Sequence, residues 1–309
     1  MRLATINRAI GNPDMSKPYG GLPQDELLQE AHTWLAVAEK YSSRGDFGRL
    51  EEELPNLLAL VRELAEESNA NIANPENPSQ VTIIEEPGVI LNDLAKVLYT
   101  FLLETGRSRP LLKLFEWAYA ACVGLGLWED AAFHANELAR LHYKRHHLTE
   151  TNLWLERARK VIRKAKNKAR AADINFLQGQ LASSEDNYKK AQSYFKQAET
   201  LFRKQKRLEN VILCLLELAL LKKEEKQPVE ALQAFEQVYL QAEKFGLKQY
   251  VAESCYHLGG LNFQKKDYLT ALEWLKRGLK SFSQFEDKAL EEKTRRLLVR
   301  IQQKIDHPA

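Results

Sequence analysis

From Asp25 almost to the C-terminus, apolar residues return every three or four positions, the period of helices that bury one face. The two-residue alternation of a strand is confined to the short run Val81 to Ile84. The pattern predicts an all-α chain, and the next question is whether its helices repeat. The best-formed unit, AESCYHLGGLNFQKKDYLTALEWLKRGLKSF from Ala252, carries a small residue in the middle of each of two helices, Gly259 and Ala271, where backbones must approach closely. Stepping back by 40 gives Ala219 and Ala231, then Gly179 and Ala191, Ala139 and Thr151, and Tyr99 and Leu111. A large residue keeps the same step four positions on in the second helix, at Phe115, Leu155, Phe195, Phe235 and Leu275. A third column, expected one turn later against the first helix, reads Ala118, Ala158, Ala198, Val238 and Gly278.

At these residues the chain resembles the tetratricopeptide repeat family, in an extended variant whose period of about 40 exceeds the usual length of about 34. The resemblance covers roughly residues 92 to 282. A degenerate extra copy fits residues 25–67, with Trp34, Ala38, Leu50 and Leu54 in the matching columns. It implies a right-handed superhelical α-solenoid of antiparallel helix pairs, each pair stable only when stacked on its neighbours. The expected organisation is a disordered extension over 1–24, with Met15 a possible translation start, the degenerate pair over 25–67, and an Asn/Pro-rich loop over 68–88. Five repeats over 89–288 and a capping helix with its tail over 289–309 complete it. Breakers and polar clusters at Gly106 to Pro110, Ser183 to Asn187 and Glu224 to Pro228 mark turns inside repeats. Gly124, Gly126 and Gly246 stand where second helices should end in left-handed caps.

Composition narrows the class. Of the 309 residues, 44% are hydrophobic and 28% charged, enough for a continuous core without disulfides or metals. Cys122, Cys214 and Cys255 are far apart and lack CxxC spacing, which suits buried thiols in a reducing compartment. No apolar run reaches the roughly 18 to 20 residues of a membrane span, and the first ten residues lack a signal-peptide core. A cytoplasmic protein without a membrane span is expected. The net charge of +3 conceals an asymmetry, since acids dominate Asp25 to Glu67 and bases dominate Arg140 to Arg170.

No phosphate-binding glycine loop, GxSxG, HExxH or Cys-His signature occurs, so no catalytic residue, cofactor or metal site is expected. His142 and His146 share a helical face, but no Cys or carboxylate lies at ligand spacing beside them, and they read as surface or cap residues. The resemblance implies instead a concave groove lined by the first helix of each pair. Its lining would be Lys96, Thr100, Asn136, Arg140, Tyr143, Lys144, Phe176, Gln180, Tyr256, His257 and Phe263, with Asp173, Ser184 and Glu253 beside them. Rings interleaved with amides and bases could hold a peptide or helix of a partner protein, Asn136, Gln180 and Arg140 bonding its backbone or acidic side chains. The alternative for Phe176, Tyr256 and Phe263 is that they are core residues. The two-Asn, Lys and Arg clamp that some family members use for chaperone tails is not reproduced.

The run RARKVIRKAKNKAR contributes Arg157, Arg159, Lys160, Arg163, Lys164, Lys166, Lys168 and Arg170 to a basic face with no acid. Leu155, Ala158, Val161, Ile162 and Ala165 recur at helical spacing, so these bases should decorate the solvent side of a packed second helix. The leading expectation is a non-enzymatic scaffold or adaptor that binds a protein or peptide, with no oligomeric state fixed. Ranked below it are a regulator that contacts nucleic acid or an acidic partner through the basic face, and a peptide-sensing switch sharing the groove.

Overall fold

The computed structural model of the chain describes residues 19, 22–70, 82–282 and 287–306. Thirteen helices and no strand occur among the described residues. Two compact units meet at Arg170 and Ala171. The first contains α1 (Gln24–Arg44), α2 (Phe47–Glu67), α3 (Glu85–Glu104), α4 (Ser108–Leu125), α5 (Trp128–Lys144) and α6 (Leu148–Ile162). The second contains α7 (Ala171–Ser184), α8 (Tyr188–Lys204), α9 (Leu208–Glu224), α10 (Pro228–Phe245), α11 (Lys248–Gln264), α12 (Tyr268–Ser281) and α13 (Lys288–Asp306). Within each unit consecutive helices pack in pairs, as in a tetratricopeptide-like solenoid.

The small-residue columns are the places where these pairs touch. A Cβ on Gly179 of α7 would lie 2.6 Å from the ring of Phe195 on α8, and one on Gly259 of α11 would lie 2.6 Å from Leu275 on α12. Gly278 faces Cys255 and the backbone of Ala252, the first-helix contact its column predicts. Phe115, Leu155, Phe195, Phe235 and Leu275 are all fully buried, so a missing side chain on one helix is filled by a large one on its partner. Trp34, Ala38, Leu50 and Leu54 are buried as well, consistent with their columns in the degenerate first pair.

The period is a step of 20 residues taken twice. The second helices α4, α6, α8, α10 and α12 begin at Ser108, Leu148, Tyr188, Pro228 and Tyr268, each 40 positions on. Left-handed residues close the helices at Gly106, Gly126, His146, Asp186, Lys206, Lys226, Gly246 and Lys266, with φ from 57° to 73°. In each case the next amide bonds back five residues, as Leu127 to the carbonyl of Cys122 and Gln227 to that of Lys222, which satisfies a free end of the helix. Position 166 is missing from this series: α6 stops at Ile162, and residues 163–170 form an irregular connector before α7.

Several segments differ from expectation. Gly124 is not a cap; it lies inside α4, where a Cβ would stand 2.2 Å from Ile83. Ile83 is buried there, and the backbone around it is tied down by Ile84 N–H to Ser68 O and by Asn69 Nδ2 to Thr82 O. The expected extension over 1–24 lies largely outside the described residues, as does the middle of the loop expected over 68–88, positions 71–81, and α3 already begins at Glu85. Helix α13 buries only Thr294 and Ile301 fully, the pattern of a helix with one packed side.

Candidate partner-binding faces

The candidate residues of the first unit gather on α3 and α5. Lys96 is exposed and donates to Asp130 Oδ2 at 2.7 Å, and Asn92 Nδ2 donates to the same oxygen at 3.0 Å. One turn along, Glu137 is enclosed at 5% exposure and organises the residues around it. Tyr99 Oη donates to it at 2.5 Å, Asn136 Nδ2 donates at 3.2 Å, and Arg140 stands 3.5 Å away. Burial and then the Glu137 charge push the Tyr99 phenol well above its ordinary range. Asn136 and Arg140 thus serve an internal carboxylate that the sequence reading passed over; the signal was a lone acid inside a strongly buried helix face. Thr100 and Lys144 are exposed and Tyr143 is half-buried.

Deeper in the same unit, His134 Nε2 and the Cys122 thiol both reach Asn92 Oδ1, at 2.7 and 3.2 Å. Complete burial lowers the His134 pKa to about 3, so the imidazole is neutral and its Nε2–H donates. His146 takes φ 58° at the end of α5 and is exposed, which is a cap position.

In the second unit, several candidates are packing residues. Phe176 packs on Phe195 with ring centroids 5.5 Å apart. His257 stacks on Phe235 at 4.7 Å, and burial, followed by Lys223, lowers its pKa to about 4. Tyr256 and Phe263 lie against the cluster of Ala271, Leu275 and Ile301 beneath α13, and Arg300 stands 5.8 Å over the Phe263 ring. Asp173 is held by both guanidinium nitrogens of Arg207, at 3.0 and 2.8 Å. What stays open is acidic. Gln180 donates to Glu217 at 3.0 Å, and burial raises the Glu217 pKa against the lowering by that bond. Glu253 is raised first by burial, then by the charges of Glu217 and Asp287. No cation pairs with Glu217 or Glu253 among the described residues, and Ser184 is simply exposed.

The basic run does not keep one helical face. Arg157, expected on the solvent side, is buried with its guanidinium 4.3 Å over the Trp154 ring, because an aromatic surface can take the planar cation at little desolvation cost. Arg159, Lys160, Arg163, Lys164, Lys166, Lys168 and Arg170 are exposed, but the last five lie on the connector rather than on a helix. Lys164 Nζ stands 4.4 Å over Trp128, and the Arg170 guanidinium 4.8 Å over Phe133.

With the paired helices in place, the sequence profile described as "Soluble NSF attachment protein, SNAP" matches residues 118–306. The chain belongs to the soluble NSF attachment protein family. Among solved structures, the SNAP-family chain is similar to aspartyl phosphate phosphatase F from Bacillus subtilis, with a TM-score of 0.62 at 12% identity over 93% of this chain and 82% of that one. It is also similar to the apo form of RapI, with a TM-score of 0.56 at 12% identity over 91% and 98%. At such identities the likeness is one of fold. A search of the curated proteins matches no individual sequence. No helix among the described residues of this SNAP-family chain is long and apolar enough to cross a membrane, and no group of three or more His, Cys, Asp or Glu there could hold a metal.

Proposed function

We propose that this SNAP-family chain is a non-catalytic adaptor whose first-helix face in the second unit captures a segment of a partner protein through a basic side chain. The observation that carries the reading is the pair Glu217 and Glu253, two carboxylates sunk far enough for burial to raise their pKa values and left without a cation. A Lys or Arg from a partner supplies the missing charge at a place where water has already been partly removed, so the pair forms in a lower dielectric than at an open surface. This reverses the charge expected from sequence, where Arg140 and Asn136 were to meet an acidic peptide, because both are engaged by Glu137. A protein partner accords with the family, whose members are named for attachment to NSF.

Affinity capture from native lysate, with and without nuclease, tests the reading. Wild type should retain protein partners after nuclease, and Glu217→Gln with Glu253→Gln should lose them while Arg159→Glu with Arg163→Glu retains them. Partners lost with nuclease, or lost only with the basic-run variant, would assign recognition to nucleic acid or an acidic surface instead.

A further inference from the structure

Eight of the nine junctions from position 106 to position 266 use one turn, with a left-handed residue followed by an amide that closes onto the carbonyl five residues back. The ninth departs from it. Asn167 holds the place of that closing amide, and its N–H donates to the Glu129 carboxylate at 2.9 Å instead. Helix α7 consequently starts at Ala171, three residues beyond the position set by the starts of α5, α9 and α11 at 128, 208 and 248. The detour opens a cavity of about 410 Å³ between the connector and the first turn of α5, lined by Leu127, Trp128, Glu129, Asp130, Lys164 and Lys166.

The charges around this cavity are unevenly satisfied. Glu129 takes the Asn167 amide, and Asp130 takes Lys96 and Asn92, so both carboxylates are engaged within the unit. Among the described residues no carboxylate pairs with Arg159, Lys160, Arg163, Lys164, Lys166 or Lys168, whereas Arg203, Arg207, Arg295 and Arg296 all have acid partners. Irregular backbone inside an otherwise strict pattern collects where a site has been built. Here it coincides with unpaired ammonium groups facing a hollow.

We propose that the cavity under the connector binds a soluble polyvalent phosphate, its charges met by Lys164 and Lys166, which line it, with the exposed Arg163 and Lys168 of the same connector adding to the positive field. Ammonium groups act as point charges toward phosphate oxygens and need no planar partner. A nucleic acid is disfavoured because the neighbouring rings, Trp128 and Phe133, are already covered by Lys164 and Arg170 and cannot stack on bases. A polypeptide is disfavoured because the connector offers no exposed apolar anchor, its Ala165 being buried. A lipid surface would draw on outward bases, yet Lys164 lies over Trp128 and lines the hollow.

The test is calorimetric titration of the full chain with inorganic tripolyphosphate at low and at physiological salt, together with trypsin cleavage of the connector. Saturable binding, cleavage slowed by the ligand, and affinity weakened at least tenfold by Lys164→Gln with Lys166→Gln are expected. The charge-matched control Lys189→Gln with Lys190→Gln, two exposed residues at the start of α8, should bind as wild type. No saturable binding at low salt, or equal weakening by both pairs of substitutions, would overturn the site. Tighter association with phosphatidylserine vesicles or duplex DNA, carrying the same lysine dependence, would replace the soluble phosphate with that polymer or surface.

Discussion

Replacing Gly259 and, separately, Gly260 by Ala puts one methyl group at two neighbouring positions of α11 with opposite expected signs. In a helix interior the change from Gly to Ala gains about 1 kcal/mol, because Gly loses more backbone freedom on folding. At Gly260 nothing opposes that gain, since the nearest atom to the new Cβ would be Leu297 Cδ2 at 4.0 Å. At Gly259 the Cβ would meet Leu275 Cδ2 at 2.6 Å, Leu275 Cγ at 2.7 Å and the carbonyl oxygen of Ala271 at 3.3 Å. Leu275 is fully buried and the carbonyl belongs to the backbone of α12, so neither can move aside cheaply. Overpacking of this kind costs about 1 to 3 kcal/mol. Gly260→Ala should therefore stabilise by up to about 1 kcal/mol, and Gly259→Ala should range from neutral to a loss of about 2 kcal/mol. Urea unfolding followed by circular dichroism measures both, with unchanged m-values required for a clean comparison. In a Leu275→Ala background most of the penalty at Gly259 should disappear, as a coupled pair demands, leaving only the 3.3 Å approach to the Ala271 carbonyl. Equal gains at the two glycines would refute the claim that the column residues set the distance between helices.

Lys206, Lys226 and Lys266 occupy left-handed turns at φ 58° to 63°. Changing any one to Gly should raise stability by about 0.5 to 1 kcal/mol, the relief of the left-handed cost less the entropy of glycine, whereas Gly246→Ala at φ 69° should lower it; thermal melts give the sign. Asp173→Asn leaves the half-exposed Arg207 guanidinium without its two-pronged acceptor and should cost about 1 to 2 kcal/mol in urea unfolding, less than a fully enclosed pair because solvent reaches the arginine. His257 and His134 have folded pKa values lowered to about 4 and about 3, so below the ordinary 6.5 the unfolded chain binds protons that the folded one refuses. Stability should then fall as pH drops from 6.5 toward 4, by up to about 1.4 kcal/mol per pH unit for each group, and His257→Phe should flatten that slope in unfolding curves taken at several pH values.

The fold was legible because it is written in volume. Gly179 before Phe195, and Gly259 before Leu275, repeat a complementarity that survives in sequence as columns, and its physical cause is the distance between two backbones. The candidate face was less legible, because polarity at a first-helix position does not say whether a side chain meets solvent or a neighbour. Asn136 and Arg140 are drawn to Glu137 on their own helix, itself enclosed through Tyr99 of α3, while His257 stacks on Phe235 and Phe263 lies beneath α13; each outcome turns on a packing partner from another helix. The basic run misled for a further reason. Val161, Ile162 and Ala165 keep helical spacing, yet the helix ends at Ile162 and the Asn167 amide finds Glu129 rather than the carbonyl five residues behind it.

The regular closing turn also limits how such a chain can change length. One helix and its turn occupy 20 residues, but the two helices of a pair are different in kind, one bearing the small residue that receives and the other the large residue that fills. Loss or gain of 20 residues would set two receiving helices side by side and leave their hollows empty. A change of 40 restores the match, so the inheritable unit of growth in the regular part of this protein is the complete pair.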